Sequence, residues 1–139
     1  MANAQAKKKK ILVLDDEPDV VTYLVSLLED NDYIVVSAMD GKEGMAKAKS
    51  EKPDLITLDI SMPEKSGVRF YREVKSDPEM KRIPIVIVTG VSSTQDGGTG
   101  KDFERFLGTR KQVPPPDGFI MKPIDESELL GTVKKLLAI

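Results

Sequence analysis

Ile11-Leu12-Val13-Leu14-Asp15-Asp16 joins four consecutive apolar residues to a pair of carboxylates. An unbroken apolar run of this length reads as a strand covered on both faces, because a strand with one wet face alternates polar and apolar. Equivalent runs recur at Tyr33-Ile34-Val35-Val36, Leu55-Ile56-Thr57-Leu58, Ile85-Val86-Ile87-Val88 and Phe119-Ile120-Met121. Five strands are predicted. Between them the apolar spacing changes to that of helices. Val20, Val21, Leu24, Leu27 and Leu28 share one stripe, with Pro18 in the opening turn. Asp40 and Glu43 form a capping pair for a second helix, which turns Met45 and Ala48 inward. Ser66 is expected to cap a third, burying Val68, Tyr71 and Val74 and part of Phe70. Asp125 and Glu128 open the last, where Leu129, Leu130, Val133, Leu136 and Leu137 repeat the spacing of the first. This alternation of strand and helix predicts an α/β fold layered on a parallel sheet.

The 139 residues suffice for one domain with a real core, and no internal repeat or second domain is visible. A net charge of -2 gives no broad basic surface for nucleic acid. No apolar run reaches the roughly 20 residues of a membrane span. Lysines near the start are not followed by a signal-peptide stretch, so a cytoplasmic protein is expected. With no cysteine there is no thiolate chemistry. With no histidine there is no Ser-His-Asp triad, imidazole zinc site or phosphohistidine within the chain. A reactive site must use carboxylates, hydroxyls, lysines and backbone, which suits a hard, oxygen-preferring cation such as magnesium.

Polar residues stand where the strands end: Asp15 and Asp16 after the first, Asp59 after the third, Thr89 after the fourth and Lys122 after the fifth. Taken singly, each has an ordinary explanation; Asp15-Asp16 before Glu17-Pro18 could simply start a helix. In an open parallel sheet, however, all carboxyl ends share one edge, where ligands bind. Strands about 4.8 Å apart let side chains at neighbouring ends meet, and a lysine two strands away has roughly 10 Å to bridge. Crowded carboxylates call for a counter-charge. Magnesium would supply it, Asp59 would serve as a carboxylate nucleophile, and Lys122 and Thr89 would hold oxygens of a transferred phosphoryl group.

The run Ile11 to Pro18, Leu58-Asp59-Ile60-Ser61-Met62-Pro63, Thr89-Gly90 and Lys122-Pro123 together resemble the receiver domain of bacterial two-component response regulators. The resemblance implies a doubly wound, flavodoxin-like fold with strand order 2-1-3-4-5 and helices on both faces. It implies Mg2+ held by Asp15, Asp16, Asp59 and the backbone carbonyl of Ser61. It further implies Asp59 as phosphoacceptor, Thr89 and Lys122 as phosphate contacts, and Thr89 and Phe119 as switch residues. The donor would be a phosphohistidine on a sensor histidine kinase or histidine phosphotransfer protein, and the activated surface would engage a downstream protein. The chain would not be a conventional enzyme, catalysing only its own phosphorylation and dephosphorylation.

On this reading residues 1–9 form a flexible tail and 10–139 the receiver domain, with an enlarged fourth connection at about 92–118. Glycines at Gly97, Gly98 and Gly100 and prolines at Pro114 to Pro116 suggest a connection that is mobile before phosphorylation and partner-specific after it. Lys122-Pro123 is expected to be cis. Three other classes are weighed against this. A haloacid-dehalogenase-like phosphohydrolase would carry Asp-x-Asp, where this chain has Asp59-Ile60-Ser61, and would release phosphate steadily. A flavodoxin-like cofactor binder would meet repulsion from Asp15-Asp16 at its phosphate, and would be yellow. A binding module without phosphorylation would lack magnesium affinity.

Overall fold

The computed structural model describes residues 8–60, 66–90 and 116–138. In chain order these form β1 (Lys10–Leu14), α1 (Pro18–Asp30), β2 (Ile34–Ala38), α2 (Gly41–Glu51), β3 (Leu55–Leu58), α3 (Ser66–Ser76), β4 (Ile85–Thr89), β5 (Gly118–Met121) and α4 (Glu126–Leu137). The five strands pair in parallel in the order β2-β1-β3-β4-β5, as expected. The expected tail through residue 7, the Ser61 carbonyl and most of the enlarged connection lie outside the described residues. So do the side chains of Ser66 and Thr89, and with them the expected Ser66 cap.

Strand alternation splits the core into two layers. Leu12, Leu14, Ile56, Leu58, Ile85 and Ile87 face α2 and α3, packing on Ala48, Val68, Phe70, Tyr71 and Val74. Ile11, Val13, Leu55, Val86, Val88 and Ile120 face the other way, onto Leu24, Leu27 and Leu28 of α1 and Leu129 and Val133 of α4. The central strands β1 and β3 are covered on both faces, which explains their unbroken apolar sequence. The second run behaves differently. It forms β2 one residue later than expected, at the sheet edge, and leaves Ile34 43% exposed. An apolar run does not distinguish an edge from a centre.

Asp40 Oδ1 accepts the Glu43 N–H at 2.8 Å, and Glu43 Oε1 accepts the Met39 N–H at 2.9 Å, completing the expected capping pair. Asp125 Oδ1 likewise accepts the Glu128 N–H at 3.0 Å. Phe70, expected to be partly buried, is fully so. The reason is Gly44 on α2: a Cβ there would lie 3.1 Å from Phe70 Cε1, so glycine leaves the space the ring enters. Leu130, Leu136 and Leu137 are only partly buried against the α1/α4 layer. The Lys122-Pro123 peptide is cis. None of the described helices is long and apolar enough to cross a membrane.

Candidate functional site

The register brings the strand-end residues together. Leu14 pairs with Leu58 across β1 and β3, so Asp15 and Asp59 emerge side by side. The Asp59 N–H donates to the Leu14 carbonyl at 3.0 Å, and the Asp15 N–H to the Ala38 carbonyl at 3.2 Å, continuing the sheet one residue past its strands. Both carboxylates are 1% exposed. Gly67, in the first turn of α3, packs directly on this corner; a Cβ there would lie 2.5 Å from the Asp59 carbonyl oxygen and 2.7 Å from Ile60 Cα.

Thr89 ends β4 opposite Met121 of β5. Lys122 follows, and its side chain runs past Gly90, whose position would put a Cβ 3.5 Å from Lys122 Cβ. The ammonium thereby spans two strands. Lys122 Nζ lies 3.4 Å from Asp59 Oδ2, 3.0 Å from Asp15 Oδ2 and 2.8 Å from Glu17 Oε1. The contacts to Glu17 and Asp59 have hydrogen-bond geometry. The approach to Asp15 Oδ2 is ionic only, since that oxygen accepts no hydrogen bond among the described residues despite its burial.

Electrostatics follow from this crowding. Burial pushes the Asp15 carboxyl up from 3.8 to about 6. The Glu17 N–H, donating to Asp15 Oδ1 at 2.9 Å, and the Lys122 ammonium oppose that rise, while the Asp59 charge adds to it. Burial works against the charge of Lys122 too, but Glu17, Asp15 and Asp59 outweigh it and hold this lysine above the ordinary range. Lys122 is therefore a fixed cation among anions.

Among the described residues, the carboxylates whose oxygens lie within 4.8 Å of one another are Asp15, Glu17 and Asp59. Asp16 is half-buried and lines an open groove with Met39, Asp40 and Lys42. Glu17 is the residue that strand-end reasoning missed. It occupies the N-cap of α1 in an extended conformation, with Pro18 behind it, yet its side chain makes no cap hydrogen bond. The acidic pair is not a cap either. A signal was present: Asp15 and Glu17 are two apart, a spacing that puts side chains on one side of an extended chain, and a residue before proline is held extended. Phe119 is partly buried against the α2/α3 layer.

Residues 11–134 match the response regulator receiver domain. Protein PilH of Pseudomonas aeruginosa is 36% identical over 129 residues, spanning 93% of this chain and 98% of that protein. The alkaline phosphatase synthesis transcriptional regulatory protein PhoP of Bacillus subtilis is 35% identical over 129 residues, but this chain spans only 48% of it. Among solved structures, chemotaxis response regulator CheY4 of Vibrio cholerae superposes with a TM-score of 0.76 at 28% identity, covering 94% of this chain and 100% of that one. Sheet order, a carboxylate pocket at the sheet's carboxyl edge and similarity along nearly the whole length agree, and the chain belongs to the receiver domain family of two-component response regulators.

Proposed function

We propose that Asp59 accepts a phosphoryl group from a phosphohistidine on a sensor histidine kinase or histidine phosphotransfer protein. The observation that carries this reading is the Asp59 carboxylate, buried beside Asp15 and 3.4 Å from the Lys122 ammonium. An Asp59 oxygen attacks phosphorus, the P–N bond to the donor imidazole breaks, and its electron pair stays on the ring nitrogen. Lys122 then neutralises one of the phosphoryl oxygens, and the Thr89 hydroxyl is assigned another.

The donor set fits magnesium. It is all oxygen, and it includes a buried Asp15 oxygen that accepts no hydrogen bond among the described residues, which a hard cation would satisfy. Asp15 and Asp59 would hold the ion, with Asp16 and the Ser61 carbonyl as the further ligands the family resemblance implies. When bound, it would offset carboxylate repulsion and neutralise developing charge on the phosphoryl group. Phosphorylation then shifts Thr89 and Phe119 and alters a surface read by a downstream protein, in the cytoplasm, with 10–139 acting as one receiver unit.

Intact mass after incubation with acetyl phosphate and Mg2+ tests this. The expected gain is one phosphoryl group, absent in EDTA and absent in Asp59→Asn. Equal labelling of Asp59→Asn would refute the assignment.

A further inference from the structure

Glu17 sits at a helix start, where a carboxylate ordinarily bonds the first free N–H groups. Instead its side chain reaches Lys122, 105 residues away in sequence, at 2.8 Å. Two local features aim it there: its N–H is held by Asp15 Oδ1, and Pro18 keeps its backbone extended. Of the three carboxylates around the ammonium, Glu17 makes the shortest contact and Asp59 the longest. We propose that Glu17 is a positioning residue that holds Lys122 back from Asp59 in the resting protein, so that phosphoryl acceptance requires Lys122 to exchange the Glu17 carboxylate for a phosphoryl oxygen.

The strength of the hold follows from exposure. Glu17 is 59% exposed and Lys122 16%, so solvent screens the pair and limits its effect to a few-fold. A dianionic phosphoryl group attracts the ammonium more strongly than one screened carboxylate does. The hold therefore sets a rate without blocking the reaction. It also acts through Lys122 and touches no reacting atom.

The inference rests on Asp59 as acceptor, and the test separates the two ideas. Phosphorylation by acetyl phosphate is followed at saturating donor and Mg2+ in wild type, Glu17→Gln and Glu17→Asp. Glu17→Gln is expected to raise the maximal rate roughly two- to five-fold. Glu17→Asp keeps the charge but shortens the reach, and is expected to resemble Glu17→Gln. In metal-free protein, the side-chain ammonium NMR signal of Lys122 is expected to shift in both variants.

A Glu17→Gln rate equal to or below wild type overturns the hold, as does an unmoved Lys122 signal. So does a Glu17→Asp rate equal to wild type, which would leave only a long-range field. A change confined to donor half-saturation would mean repulsion of the anionic donor instead. A ten-fold rise in the Mg2+ needed would make Glu17 a metal contact. Labelling that survives Asp59→Asn would remove both the hold and the acceptor assignment, whereas Asp59-dependent labelling unaffected by Glu17 removes the hold alone.

Discussion

Replacing Asp15 by asparagine should stabilise the metal-free protein while abolishing its response to magnesium. A carboxyl raised from 3.8 to about 6 carries an ionised form disfavoured by about 3 kcal/mol in the folded state at neutral pH. Attraction to Lys122 is already contained in that balance, because burial exceeds it. Asparagine removes the charge and keeps an oxygen for the Glu17 N–H. Its amide nitrogen then faces the Lys122 ammonium, where Asp15 Oδ2 stood at 3.0 Å, and that clash returns about 1 kcal/mol. The expected net gain is about 1–2 kcal/mol.

The pH dependence has a fixed sign. Because the folded carboxyl holds its proton at higher pH than the unfolded one, the folded state binds more protons between about 6 and 3.8. Wild-type stability therefore contains a contribution that falls as pH rises through that window, and Asp15→Asn lacks it. Magnesium should reverse the picture, since it would bind the ionised folded form and its stabilisation would fade as pH drops below about 6. Urea unfolding in EDTA at pH 7 and at pH 4.5, repeated with excess Mg2+, measures all three quantities. An Asp15→Asn protein less stable than wild type in EDTA at pH 7, or with the wild-type pH slope, would refute the reasoning.

Other substitutions probe the surroundings. Thr57 is 1% exposed and its Oγ1 has no hydrogen-bond partner among the described residues; Thr57→Val should stabilise by about 1 kcal/mol in urea unfolding. A Cβ at exposed Gly131, inside α4, would meet nothing within 4 Å, so Gly131→Ala should add about 0.5–1 kcal/mol to thermal or urea stability. Gly67→Ala would force backbone apart at Asp59, and should destabilise by about 1–3 kcal/mol while slowing Asp59 labelling at least roughly ten-fold.

Much of this molecule was legible because each strand end carries its own polar signal. Five apolar runs gave five strands, and Asp15, Asp59 and Lys122 converge as the parallel edge requires. Strand order was a different matter. Nothing in the periodicity says that β2 lies outside β1, and only the likeness to a known family implied it. For the same reason the apolar run containing Ile34 looked like an interior strand. The full burial of Phe70 depends on the missing side chain of Gly44 on another helix, which helical periodicity does not show. In the sequence Glu17 carries only the mark of a helix start, set by its neighbour Pro18, and the lysine it meets is far away along the chain.

The two edges of the sheet show where the chain accepts electrostatic strain. At the amino edge Lys75 is buried, and burial pushes its pKa down while the Asp117 charge resists. Yet its ammonium donates to the Lys81 and Ile83 carbonyls at 3.2 and 2.9 Å, and Asp117 lies 3.7 Å away. Asp117 in turn accepts the Ile85 N–H at 2.9 Å. That edge has donors and acceptors for its charge, built largely from fixed backbone. At the carboxyl edge the pattern differs: Asp15, Glu17 and Asp59 all lie against the Lys122 ammonium, and among the described residues a buried Asp15 oxygen accepts no hydrogen bond. Among the described residues, carboxylates are thus concentrated at the carboxyl edge, the arrangement that a cation would stabilise.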